Sequence, residues 1–184
     1  MASIITATTT SGLTQSADNS GVLQLASGTG NLVTVPSVTG TAMVSGNMPA
    51  FLAFPSSNQT ISAATWTKVT LDTEIFDTNS NFASNRFTPT VAGYYQLNAT
   101  VGFMGQTAGS GAQAAISFYR NGALYMQGVN LAISGVNIIT LSGLIYFNGS
   151  TDYVELFCYL NGTTLTINGA LATTMFSGAM VRTA

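Results

Sequence analysis

Between Arg86 and Phe103 the chain reads Arg-Phe-Thr-Pro-Thr-Val-Ala-Gly-Tyr-Tyr-Gln-Leu-Asn-Ala-Thr-Val-Gly-Phe, and this run restricts the fold more than any other. Tyr95, Leu97, Ala99, Val101 and Phe103 share one parity; Tyr94, Gln96, Asn98, Thr100 and Gly102 share the other. Successive side chains point to opposite faces of a strand, so the spacing predicts a long strand with one face in a core and one polar face. Pro89 lacks a backbone donor and Gly93 tolerates unusual dihedrals, so both are expected in a corner ahead of that strand. Ala114, Ile116 and Phe118 mark a second strand face, and Ile139, Leu141, Ile145 and Phe147 a third; Leu165–Ile167 adds a short run. Asn121-Gly122, Asn148-Gly149, Asn161-Gly162 and Asn168-Gly169 supply turn signals between or beside these runs,. No window combines helical periodicity with caps. The chain is therefore expected to be all-β, a sandwich or barrel of short strands.

Charge is scarce. Lys68, Arg86, Arg120 and Arg182 face Asp18, Asp72, Glu74, Asp77, Asp152 and Glu155, with no histidine, so 5% of residues are charged. Ordinary soluble domains carry about a quarter. A surface built from Thr, Ser, Asn, Gln and Gly, with positive mean hydropathy, favours obligate association. Four scattered cations cannot neutralise a run of phosphates, which argues against nucleic acid. Without a polybasic run, attraction to anionic lipid is not expected, and the most apolar window, Val136 to Phe147, is too short to span a bilayer as a helix,. The first ten residues have neither a basic region nor a continuous apolar stretch, so synthesis in a cytoplasm is the expectation,. The Asn-x-Ser/Thr triplets at Asn58, Asn98, Asn148 and Asn161 are then chance products of composition,.

Residues 1–47 differ in texture from the rest: rich in Thr, Ser and Gly, free of aromatics, with Asp18 as their single charge. Val22-Leu-Gln-Leu25 and Leu32-Val-Thr-Val35 are strand candidates around a polar turn, a hairpin too small to stand without another surface,. Residues 1–47 are expected to be an extended arm and 48–184 one domain, with Val22, Leu23, Leu25, Leu32, Val33 and Val35 as the arm's anchoring side chains.

No catalytic constellation emerges. Cys158 is alone and shares a parity with Val154, Leu156 and Leu160, which predicts a buried, inert thiol,. Asp152 and Glu155 are three apart and fall on opposite faces of a strand, poorly placed as an acid–base pair,. Gly109-Ser-Gly111 and Gly28-Thr-Gly30 lack the lysine or the strand-to-helix setting of a phosphate loop,. Asp72, Glu74 and Asp77 gather enough oxygen to raise calcium, but their spacing matches no dedicated loop and a solvated strand end is favoured,. The expectation is a protein with no catalytic residues, no cofactor and no metal.

The corner and strand from Phe87 through Pro89 and Gly93 to Tyr94 and Tyr95 resemble the core motif of the C1q/TNF-like domain, with Asn85 and Arg86 where that family usually begins with Gly. Other pieces follow in the family's order: Trp66–Asp72 resembles its early strand, Ser117–Gly122 its Asn-Gly hairpin, Leu141–Phe147 with Asp152–Leu156 its paired strands, and Met175–Met180 its closing strand. The turn from Asn148 to Asp152 departs from the pattern. The resemblance covers about Met48 to Ala184 and implies a jelly roll of about ten strands that assembles as a trimer. It also implies aromatic side chains along a threefold contact. Among Tyr94, Tyr119, Tyr125 and Tyr159, subunit contact ranks first, core second and a sugar-stacking platform third; Tyr94, Tyr119 and Tyr159 are the interface candidates,.

Neither collagen repeats nor heptads precede the domain. The phrasing Thr-Thr-Thr-Ser-Gly-Leu and Asn-Ser-Gly-Val-Leu-Gln-Leu ahead of a charge-poor module instead resembles structural proteins of tailed bacteriophages. That likeness implies a virion component. The expected role is a homotrimeric capsid decoration protein, its arm on the major capsid protein and its jelly roll outward; the alternative is a tail-fibre tip recognising a host surface ligand such as a glycan.

Overall fold

A computed structural model describes residues 23–26, 32–35, 48–108 and 110–184. The chain divides into two units, Met1–Thr41 and Ala42–Ala184. In the first, β1 (Leu23–Ala26) and β2 (Leu32–Val35) form an antiparallel hairpin that sets Leu23 opposite Val35 and Leu25 opposite Val33. Val22 and the remainder of the expected arm lie outside the described residues.

The second unit holds fourteen strand segments and, among the described residues, no helix. Six segments are two residues long: β4 (Gln59–Thr60), β5 (Thr67–Lys68), β7 (Phe82–Ala83), β8 (Arg86–Phe87), β12 (Leu131–Ala132) and β15 (Thr166–Ile167). The longer ones are β3 (Ala50–Phe54), β6 (Thr73–Asp77), β9 (Gly93–Gln106), β10 (Gln113–Arg120), β11 (Ala123–Gln127), β13 (Gly135–Phe147), β14 (Val154–Asn161) and β16 (Met175–Thr183). About ten strands were expected; the surplus consists of short pairings that pin loops to sheet edges. The strand expected over Trp66–Asp72 shrinks to Thr67–Lys68, which pairs with Phe157 and Cys158.

Two antiparallel sheets result. One runs β6-β3-β16-β9-β13, with β15 and β4 extending it beside β9; the other runs β11-β10-β14-β8-β7, with β12 beside β10 and β5 beside β14. β9 is the spine of the first, joined to β13 from Gly93 to Gln106 and to β16 from Gly93 to Thr100. Its expected inner face is the observed one: Tyr95, Leu97, Val101 and Phe103 are sealed and Ala99 nearly so. Gly93 opens β9 without a left-handed φ; its requirement is space, because a Cβ there would collide with the Arg182 carbonyl on β16. The freedom expected of it as a corner residue is not what the position uses.

Aromatic rings bridge the sheets. Phe51 of β3 stacks on Phe87 of β8 at 4.2 Å, and Phe118 of β10 meets Phe176 of β16 at 5.4 Å. Each buried ring removes enough apolar surface from water to contribute about 1.5–3 kcal/mol. Tyr95 donates its hydroxyl to the Val91 carbonyl at 2.7 Å, so the polar atom it carries into this layer is satisfied, and burial raises its phenol above the ordinary value. Cys158 faces the same core as expected; burial pushes its thiol up to about 12, and its Sγ lies 3.6 Å from the Thr67 carbonyl,.

The Asn-Gly pairs serve different ends. Asn121 (φ 53°) and Gly122 (φ 79°) are both left-handed and join β10 to β11 in a two-residue hairpin,. Asn148-Gly149 instead opens the longer link from β13 to β14, where Asn148 Oδ1 accepts from the amides of Ser150, Thr151 and Asp152. Asp152, 7% exposed, ties the two turns together. It accepts from Asn121 Nδ2 (2.8 Å), Arg120 Nη2 (2.6 Å) and the Asn148 amide (2.9 Å). Hydrogen bonding from Asn121, reinforced by Arg120 and Asn148 against the opposing effect of burial, holds its carboxyl below the usual carboxylate value. A depressed folded value means that its stabilisation is complete above the unfolded value of about 4 and is lost as pH falls through the lower folded one. Melting temperature measured against pH should fall on that acid limb, and Asp152→Asn should flatten it.

Candidate interaction faces

Each sheet has an outward face, and the sequence candidates are shared between them. On the first sheet, β9 turns Tyr94, Gln96, Asn98 and Thr100 outward, β13 turns out Ile138, Thr140, Ser142, Leu144 and Tyr146, and β16 turns out Ser177 and Ala179. Strand register orders them in rows. Tyr146 lies opposite Tyr94, Leu144 opposite Gln96, Ser142 opposite Asn98 and Thr140 opposite Thr100. One end is apolar: the Tyr94 and Tyr146 rings meet at 5.3 Å, and with Leu144, Val181, Arg182 and Ala184 they line an open cleft of about 640 Å³. Leu144 and Val181 are each about half exposed, and Tyr94 is 42% exposed. At the far end Val136 and Ile138 are also exposed. Large apolar groups are thus exposed at both ends of this sheet face.

The opposite sheet turns out Tyr119 on β10 and Glu155, Phe157 and Tyr159 on β14. Tyr119 stacks on Phe157 at 4.0 Å, and Trp66 leans on Tyr119 and Tyr159 at 6.2 and 5.6 Å. These rings are half-buried because they cover one another. Beside them Glu155 Oε1 receives Lys68 Nζ at 2.7 Å and Arg86 Nη2 at 3.1 Å, its side chain 8% exposed, while the Arg86 guanidinium lies 3.8 Å over the Tyr153 ring. Tyr94 therefore does not share a surface with Tyr119 and Tyr159: the three expected contact tyrosines lie on opposite sheets. Leu144, Tyr146 and Val181 were not among the sequence candidates, although Leu144 and Tyr146 alternate with buried Ile145 and Phe147 on β13, and Val181 follows buried Met180 on β16. Tyr125 is exposed on β11.

The carboxylates of the β6 region do not converge. Asp72 accepts from Ser56 through both Oγ (2.7 Å) and amide (2.6 Å), which lowers its pKa, and Asp77 accepts from the Phe82 amide at 2.7 Å. Each closes its own turn. Among the described residues no cluster of three or more His, Cys, Asp or Glu side chains is arranged to hold a metal ion. No described helix is long and apolar enough to cross a membrane.

No protein-family profile matches the chain, and no curated protein matches it. Solved structures do. The globular domain of zebrafish complement 1qA is similar with a TM-score of 0.55 at 14% identity, over 74% of this chain and 98% of that one. Murine APRIL is similar with a TM-score of 0.53 at 11% identity, over 73% of this chain and 99% of that one. At such identities the likeness concerns the backbone alone. The two antiparallel sheets of residues 50–183 have the fold of C1q/TNF-like jelly-roll domains.

Proposed function

We propose that this chain is a non-enzymatic structural protein that assembles as a homotrimer through the outward face of β9, β13 and β16, and that it decorates a bacteriophage capsid. The observation that carries the self-association is the apolar cleft of Tyr94, Leu144, Tyr146 and Val181 on a molecule with almost no charge to keep it soluble alone,. Arg182 is the single charged side chain lining the cleft, so an oppositely charged protein would gain little there. A second copy brings the same aromatic and aliphatic surface. The virion assignment draws on the Thr/Ser/Gly-rich residues 1–47, whose phrasing resembles phage structural proteins and whose β1–β2 hairpin is too small to stand alone,. Three arms per assembly would multiply weak attachments to a capsid lattice.

Deletion of residues 1–47 should leave a soluble trimer that no longer binds capsids in a co-sedimentation assay. A truncated trimer that binds as well as the full chain removes the arm from the attachment.

One observation favours a tail-fibre tip instead. The Trp66, Tyr119, Phe157 and Tyr159 cluster, beside the Lys68–Glu155–Arg86 group, is a rigid aromatic surface of the kind that stacks on sugar rings,. Immunogold labelling of particles separates the roles: gold over the head supports decoration, and gold confined to the tail supports the tip.

A further inference from the structure

Between the two apolar ends of the β9–β13–β16 face runs a polar row, Ser142–Asn98–Ser177 in direct register, with Gln96 beside it. Its side chains donate towards Asn98 Oδ1. Gln96 Nε2 donates to Ser142 Oγ at 2.8 Å, with longer contacts to the Leu97 carbonyl at 3.2 Å and Asn98 Oδ1 at 3.5 Å, and Ser142 Oγ donates to Asn98 Oδ1 at 2.9 Å. That leaves the Asn98 amide hydrogens, the Ser177 hydroxyl and the Gln96 carbonyl oxygen without partners among the described residues. Asn98 is exposed in the subunit, so water serves it there. Covered by a subunit contact, the same groups must be paired or they oppose association.

Resting on the self-association reading above, we propose that this row fixes the register and the number of subunits in the contact. The row carries open donors at the Asn98 amide and the Ser177 hydroxyl and an open acceptor at the Gln96 carbonyl, so a rotated copy can present its Gln96 carbonyl to this Asn98 amide. No charge lies in the row to recruit an ionic partner; the nearest charged side chain on the face is Arg182, two rows away opposite Tyr94. A copy slid along the strands would lay Leu144 or Ile138 over Asn98 and bury its amide unpaired. The apolar ends supply attraction and tolerate sliding; the polar row penalises every register but one, as a single buried asparagine does in a coiled coil.

Sedimentation equilibrium of the full chain and two variants tests this. Wild type is expected as one trimeric species; a monomer at micromolar concentration would overturn the self-association reading itself, before the row is at issue. Given a trimer, Asn98→Leu is expected to associate at least tenfold more tightly but as a mixture of stoichiometries. Asn98→Asp is expected to be monomeric at neutral pH and to regain the trimer near about pH 4, where carboxylates brought together protonate. The groups facing residue 98 are Gln96, Thr100, Thr140, Ser142 and Ser177, none of which titrates in that range. Because position 98 is exposed in the subunit, both variants should keep the wild-type circular dichroism. An Asn98→Asp trimer of unchanged affinity places the row outside the contact, and an Asn98→Leu protein that remains a single trimer of unchanged affinity shows that the row sets no register; either result overturns the proposal.

Discussion

Tyr146→Asp is expected to raise the dissociation constant of the proposed trimer by about a thousandfold, equivalent to ~4 kcal/mol. Tyr146 lies at the centre of the apolar end, its ring against Tyr94 and beside the cleft that Leu144 and Val181 complete. A carboxylate there removes apolar area from the contact and adds a charge that must shed its water without a partner, and uncompensated buried charge costs about 3–5 kcal/mol. Since Tyr146 is 39% exposed in the subunit, the fold itself should survive. Sedimentation should therefore show a monomer with unchanged circular dichroism, whereas Ser150→Asp in the exposed turn after β13 should leave the trimer intact. A Tyr146→Asp trimer with wild-type affinity would falsify the placement of the contact on this face.

Phe51→Ala should cost about 3–5 kcal/mol of folding stability, the range for emptying a buried aromatic site. Phe51 is fully buried and is held on three sides: stacked on Phe87 and on Phe82 at 5.1 Å, and edge-on to Phe176 at 5.0 Å. It joins β3 of one sheet to β7 and β8 of the other, so its loss opens a void between the layers that neighbours on two different sheets cannot collapse to fill. Native stability is about 5–15 kcal/mol, so the change consumes a large share of it. Urea titration should show the midpoint move accordingly, while Leu171→Ala, at a partly exposed loop position, should fall within about 0.5 kcal/mol of wild type,.

The contrast between these two sites marks what the sequence could express. Period-two parity correctly divided β9 into Tyr95-type and Tyr94-type positions, placed Cys158 with Val154 and Leu156, and set Ile145 and Phe147 inward. Parity names two sides of each strand, and nothing in it says which strands become neighbours. β9 pairs with β13 past the intervening β10, β11 and β12, and that non-local choice decides that Tyr94 shares a surface with Tyr146 rather than with Tyr119. The tyrosines were legible as outward residues; their common surface was not. Asn-Gly pairs show the same limit. Asn121-Gly122 makes the two-residue hairpin its composition suggests, while Asn148 spends its side chain on three backbone amides and holds a longer link. The arm's anchoring positions belong to a segment whose partner, if it is a capsid, is another molecule altogether.

Cys158 has one more consequence. A sulfur sealed between β5 and the core cannot meet an alkylating reagent while the sandwich is shut. The rate at which such a reagent tags the chain therefore reports openings of the sandwich. The protein carries its own clock for unfolding, with no engineered label required.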